Sequence, residues 1–337
     1  MTPFQKRRES NVKELVRKLT EAWGPSGYEH HIRQIIREEV AELADEITVD
    51  PLGNLICRVG DGEKRVMVAA HMDEIGVMAT YREKKSGYMR FANIGGLSPQ
   101  TLRGNRVKFE NGVIGVIGVE GGKGDSLDQF FIDTDDASGE QTVPEGSPAG
   151  FWRPMDERGK RLVGKAMDDR IGCVVAIETM RKLKKKKTPN SVYFAFTVQE
   201  EVGLRGARTA AHNINPDVAV ALDVTRTGDE IHGAKMSVKL GGGAAIKVHD
   251  PGLVVPPAVV DWMVNRAEAD GIPYQRELLS GGTTDAAAIQ LTNAGVPSGC
   301  ISIPCRFIHT VSETVDLDDV QACIDLLSGL VSNPVSL

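Results

Sequence analysis

No apolar stretch in this 337-residue chain approaches the ~20 residues that a membrane-spanning helix requires. The opening residues, MTPFQKRRES, carry charge but lead into no apolar segment of the kind a secretory signal needs. The chain therefore reads as neither membrane-inserted nor secreted, and a cytoplasmic location is expected. Cysteine is sparse: Cys57, Cys173, Cys300, Cys305 and Cys323 form no C-x-x-C pair, and their odd number fits reduced thiols in a reducing compartment. A basic excess is missing too, since the net charge of -6 runs against a nucleic-acid binder. There is no repeat at solenoid spacing and no low-complexity tract. What remains is the composition of an ordinary globular protein, long enough for one large domain or two moderate ones.

Apolar periodicity organises the chain. Val12, Leu15, Val16 and Leu19 recur at helical spacing, as do Ile32, Ile35, Ile36, Val40 and Leu43, with the breaker Gly24-Pro25-Ser26-Gly27 between the two sets. Ile47-Thr48-Val49 and Leu55-Ile56-Cys57 flank Asp50-Pro51-Leu52-Gly53-Asn54 as strand, turn and strand. Val66 to Ala70 reads as a short buried strand that runs into His71. From about Gly76 to Gly164 the texture changes to short β-like runs cut by glycine, such as Val113 to Val119, which marks a small β-rich unit. A helical stretch at Ile171 to Leu183, strand-like runs at Val192 to Val198 and Val218 to Leu222, and a helix between those runs favour an α/β fold. Its mostly parallel central sheet is covered by helices on both faces, and the β-rich unit is an insertion. Lys184 to Lys187 read as the solvated, dipole-compensating end of a helix.

Several chemically loaded residues stand where apolar runs stop. His71 is followed by Asp73, which on an extended segment projects to the same side and can reach the imidazole, as carboxylates behind metal-bound histidines do. Alone, His71 fits a structural or surface role. Glu200 and Glu201 follow the strand-like Val192 to Val198, where adjacent acids repel unless a cation or proton compensates them; opposite projection lets one bind a metal while the other addresses a metal-held water. A solvated loop is the plain alternative. Asp223 ends Val218 to Leu222, and open α/β sheets collect ligand sites at that edge. Asp168 and Asp169 precede a helix that Asp169 could cap, and His309 follows the strand-like Gly299 to Ile303. Together, two histidines and several acids suit borderline ions such as zinc or cobalt, and not magnesium or calcium, which prefer oxygen throughout.

These pieces resemble, in order and spacing, the motifs of the tetrahedral or deblocking aminopeptidases, also called glutamyl aminopeptidases or cellulase M, the forty-second metallopeptidase family. The matching segments are GPSGYE at Gly24 to Glu29, DPLGNL at Asp50 to Leu55, AHMDEIG at Ala70 to Gly76 and GKAMDDR at Gly164 to Arg170. They continue as QEEVGLRGA at Gln199 to Ala207, ALDVT at Ala221 to Thr225, GGTTDAAAI at Gly281 to Ile289, and His309-Thr310.

The resemblance implies a zinc-peptidase-like catalytic domain at 1–75 and 164–337, with a PDZ-like barrel at 76–163 that serves dimerisation. It implies two divalent ions per subunit, Asp168 bridging them, His71 and Asp223 completing one site, Glu201 and His309 the other. Glu200 would be the general base toward a metal-held water, Asp73 would support His71, and the Asp168-Asp169 bond resembles one that the wider clan keeps cis. The implied partners are peptides with a free N-terminus and further copies of the chain, as dimers building a tetrahedral dodecamer; no nucleic acid or membrane partner is expected. Phe307, where tyrosine is common, and Thr310-Val311, where proline often follows, depart from the family near His309 and bear on substrate fit.

Three other readings compete. A same-clan carboxypeptidase or amide deacylase would use the same metals, and an inactive scaffold would not use them. A glycoside hydrolase needs carboxylates on both sides of a sugar bond, an arrangement that the sequence neighbours Glu200 and Glu201 suit poorly.

Overall fold

A computed structural model describes residues 3–134, 143–231 and 233–337. Within the expected insertion at 76–163, residues 135–142 lie outside the described residues. Helix α1 (Pro3–Glu21) buries Val12, Leu15, Val16 and Leu19, and α2 (His30–Val40) buries Ile32, Ile36 and Val40. Leu43 falls just beyond α2, because its N–H bonds only three residues back, to Val40.

Strands β1 (Glu46–Val49) and β2 (Leu55–Val59) pair antiparallel with Val49 opposite Leu55. The Asp50 carboxylate closes their turn by accepting the N–H groups of Leu52, Gly53 and Asn54. β3 (Arg65–His71) then enters the sheet centre. Its side chains alternate: Val66, Val68 and Ala70 join one apolar cluster, Met67 and Ala69 another, so both faces of the strand are covered.

Next comes a closed six-stranded barrel made of β4 (Gly76–Arg82), β5 (Met89–Ile94), β6 (Arg106–Phe109), β7 (Ile114–Val119), β8 (Phe130–Asp133) and β9 (Pro148–Phe151), ordered β4-β5-β8-β7-β6-β9. It has its own core, which includes Val77, Phe109, Ile117, Phe130, Ile132 and Phe151. The hairpin of β10 (Asp156–Arg158) and β11 (Arg161–Gly164) returns the chain to the main sheet.

The remainder completes the α/β body: α3 (Met167–Leu183), β12 (Ser191–Thr197), α4 (Arg205–Ile214), β13 (Val218–Thr225), β14 (Ala244–Asp250), β15 (Leu253–Val254), α5 (Pro257–Ala269), β16 (Tyr274–Leu278), α6 (Asp285–Gln290), β17 (Ser298–Arg306), β18 (Glu313–Asp316) and α7 (Leu317–Val331). The sheet runs β1-β2-β12-β3-β13-β17-β18-β11-β10, with β14 branching from β17 and carrying β15 and β16. Its centre, β12-β3-β13-β17, is parallel, and the flanking pairs β2-β12, β14-β17 and β17-β18 are antiparallel. The expected α/β sheet with helices on both faces is therefore present, its parallel character concentrated at the centre. α1, α3, α5 and α7 share the apolar cluster on one face, and the small residues Ala207, Ala210 and Ala211 pack α4 against the other. No helix among the described residues is long and apolar enough to cross a membrane.

Parallel register brings the strand ends level, with His71 opposite Thr197 and Asp223 opposite Ser302. Side chains leaving these carboxyl-terminal ends meet in one crevice.

Candidate metal centre

The last residue of β3 supplies His71, which is buried. Its Nε2 lies 2.9 Å from Asp168 Oδ1 and 3.9 Å from Glu200 Oε2. Its Nδ1 faces Asp73, 3.4 Å from Oδ1 and 3.2 Å from the backbone oxygen. Asp73 also organises the loop after β12: Oδ1 accepts the N–H of Glu200 at 3.0 Å, while Oδ2 accepts the N–H of Glu201 at 3.2 Å and the Ser26 hydroxyl at 2.6 Å. One buried carboxylate thus fixes both glutamates relative to the histidine.

Asp168 lies at the entry to α3, where Asp168 and Asp169 are not helical and the bond between them is cis. Asp169 accepts the Gly172 N–H at 3.1 Å, which is the capping geometry that its position before a helix allows. Asp168 points the other way, with Oδ2 3.4 Å from His309 Nε2, and that nitrogen is also 3.3 Å from Glu201 Oε2. Ligand atoms of His71, Asp168 and Glu201 all lie within 4.8 Å of one another. His309 therefore joins the cluster through Asp168 and Glu201. Asp223, two residues before the end of β13, is buried close enough for its charge to bear on Asp169 and Glu200, and its Oδ1 accepts the Val224 N–H at 2.7 Å.

Backbone shape follows this design. Ala166, Gln199, Phe307 and His309 all have φ between 52° and 63° without being glycine, and each stands at or beside one of these acids or histidines. Such conformations cost ~1–3 kcal/mol each and persist where surrounding contacts enforce them.

Electrostatically the centre is a crowd of buried acids. Burial, opposed in part by His71 and reinforced by Asp223, Asp285 and Glu201, holds Glu200 well above the usual carboxylate range. Asp223 is raised by burial and then by Asp168, and Glu201 by the same two causes. Asp168 and Asp73 go the other way: burial works to raise both, but hydrogen bonds with His309 and His71 hold Asp168 below the ordinary range, and His71 and Ser26 lower Asp73. Burial would lower His309, yet Asp168 and Glu201 push it up to about 12. Imidazole protons, with the Lys247 ammonium acting on Asp223, offset these acids among the described residues, and Glu201 Oε1 and Asp169 Oδ2 are buried with no hydrogen-bond partner. A pair of divalent ions fits these residues. It would replace the imidazole protons, give Glu201 Oε1 a partner and relieve the repulsion among the acids.

Some contributors escape sequence reasoning. Glu313, the first residue of β18, is buried and accepts the backbone N–H of Asp168 at 3.1 Å and of His309 at 2.8 Å. Glu29 accepts the Gln199 N–H at 3.1 Å, and Asp285 accepts the Thr197 hydroxyl at 2.5 Å. Glu29 and Asp285 lie inside segments that carried the family resemblance, so their positions were in view without their contacts. Glu313 had no such signal. The barrel reaches the centre as well: a Cβ on Gly96 would stand 3.0 Å from His309 Nδ1, and one on Gly95 would stand 3.2 Å from Glu201 Oε2.

The M42 glutamyl aminopeptidase model matches residues 53–326. The chain belongs to the M42 glutamyl aminopeptidase family. It is an enzyme of the peptide-hydrolysing class, as its motifs implied. A relative from Acetivibrio thermocellus is 45% identical over 95% of this chain and 98% of its own length. Among solved structures, an aminopeptidase from the archaeon Desulfurococcus kamchatkensis superposes with a TM-score of 0.91 at 38% identity, covering 96% of this chain and 95% of that one. The Pyrococcus horikoshii TET1 peptidase, which can assemble into a tetrahedron or a large octahedral shell, gives 0.85 at 32% identity, with 96% of this chain and 100% of that one covered. M42 membership and the α/β body with its barrel thus agree.

Proposed function

We propose that this M42 member removes N-terminal residues from peptides with a free amino terminus, using two divalent ions, zinc or cobalt. His71 and Asp223 would hold one, Glu201 and His309 the other, and Asp168 would be shared. The convergence of His71, Asp168 and Glu201 donor atoms within 4.8 Å, with His309 Nε2 3.3–3.4 Å from two of them, carries this reading.

Bound there, the ions supply Lewis acidity toward the scissile carbonyl and make water acidic enough to attack near neutral pH. Glu200 is the general base: its carboxylate takes the proton of the attacking water on Oε2, the oxygen facing His71, and returns it to the leaving amine. Asp73 keeps this carboxylate in place by holding the Glu200 N–H, and holds the His71 tautomer through Nδ1. The Glu200 side chain is 10% exposed, which limits the bulk water that reaches the base.

The same reading treats 1–75 and 164–337 as the catalytic domain and 76–163 as the inserted dimerisation unit, with cytoplasmic dimers that build a tetrahedral dodecamer. Its test is a panel of aminoacyl chromogenic substrates, free and N-acetylated, with metal-reconstituted protein and a mass measurement in solution. Cleavage of free substrates alone supports an aminopeptidase. Cleavage of the acetylated set would favour the carboxypeptidase or deacylase reading, and no metal and no activity would favour a scaffold.

A further inference from the structure

A second constellation of metal-ligating side chains lies apart from the centre just described. Two histidines open α2, His30 and His31, and their rings stand 4.3 Å apart. Both face Glu110, in the turn between β6 and β7 of the barrel. His30 Nε2 is 2.9 Å and His31 Nε2 3.4 Å from the same oxygen, Glu110 Oε1. One ligand atom from each residue falls within 4.8 Å of the other two. Ligands held at 2.0–2.1 Å around a tetrahedral zinc stand about 3.3 Å from one another, so the two histidine–carboxylate spacings of 2.9 and 3.4 Å suit two edges of a zinc tripod, and the third pair lies within 4.8 Å.

We propose that His30, His31 and Glu110 form a third metal site, a surface tripod for a zinc-like transition ion that fastens the barrel to the α/β body. The donor chemistry is selective, because two imidazoles and one carboxylate favour zinc, nickel or copper over magnesium or calcium. All three residues are exposed, so an ion enters from solution and keeps water at the fourth position. The N-terminal end of α2 carries partial positive charge that works against a cation, and the Glu110 carboxylate supplies the compensating charge. Trp23 braces the site from below. Its Nε1 donates to the Lys108 backbone oxygen on β6 at 2.9 Å, and its ring meets His30 and His31 edge-on at 6.2 and 5.5 Å. An ion held by the tripod therefore links α2 to the β6-β7 turn at a place where one tryptophan already spans both parts.

The same geometry supplies the probe. The chain has three tryptophans, and Trp23 alone packs on these imidazoles, so a paramagnetic ion bound here quenches a distinct part of the fluorescence. The experiment uses full-length protein whose other metal sites have first been loaded, then titrated with zinc against a chromophoric indicator and, separately, with copper(II) while tryptophan emission is followed. The wild type should take up one further zinc per chain, E110Q should bind it at least tenfold more weakly, and H30A/H31A should not take it up. Copper quenching should disappear in both H30A/H31A and W23F. These residues stand on the surface, so H30A/H31A should keep the peptidase activity of the wild type, which shows that it is folded. Equal zinc uptake by wild type and H30A/H31A, or quenching that survives H30A/H31A, would overturn the proposal.

Discussion

The Asp73 carboxylate accepts the backbone N–H of Glu200 at 3.0 Å while facing His71 Nδ1 at 3.4 Å, so a base and a ligand from different strands share one buried anchor. Asp73→Asn puts an amide N–H2 against a backbone donor and removes the charge behind the imidazole. Losing such a carboxylate costs roughly 10–100-fold in metal affinity. Zinc titration of the variant should show that loss with a native circular dichroism spectrum; unchanged affinity would mean that Asp73 is structural only.

Glu313 plays the corresponding part on the other side, joining the backbones of Asp168 and His309 through its two oxygens. Glu313→Gln keeps one acceptor and turns the other into a donor that opposes an N–H. The expected result is metal binding weaker by roughly 10–100-fold, with kcat recovering as metal is raised. If activity falls and excess metal does not restore it, Glu313 does something other than position ligands.

The ends of the apolar strands were legible because a strand buried on both faces must reach solvent or a polar site where its apolar run stops. His71, Glu201 and Asp223 stand at or near such points, and Asp168 stands at a helix entry. His309 lies three residues past Arg306, where β17 ends, so its approach to Asp168 depends on a turn with positive φ at Phe307 and His309. Glu313 works through backbone N–H groups, which leave no pattern in a sequence. The meeting of His30 with Glu110 spans 80 residues and depends on barrel closure. Short glycine-cut runs reveal that strands exist, but not the order β4-β5-β8-β7-β6-β9.

Gly96 tests the barrel's reach toward the centre. A methyl group there would lie 3.0 Å from His309 Nδ1, so Gly96→Ala must displace the ring or the loop. A several-fold fall in kcat/KM with little change in melting temperature is expected. A wild-type kcat/KM would show that the loop yields freely.

Glu29 links stability to pH. Burial, and then the charge of Asp73, raise its folded pKa from 4.5 to about 7. The folded state therefore holds a proton that the unfolded chain releases near 4.5. Its contribution is fully present below pH 4.5 and is lost as pH rises through about 7, amounting to roughly 3 kcal/mol. Urea unfolding of metal-free wild type and Glu29→Gln at pH 5 and pH 8 should show the wild type losing stability relative to the variant. Parallel changes would contradict the assignment.

The division of labour between Glu200 and Glu201 is tested most directly by metal content and turnover measured together on Glu200→Gln. The variant should keep two divalent ions per chain, as in the wild type, while kcat on a free aminoacyl substrate falls by roughly 10²–10⁴-fold. Near-normal kcat with both ions bound, or loss of metal from the variant, would contradict the role given to Glu200.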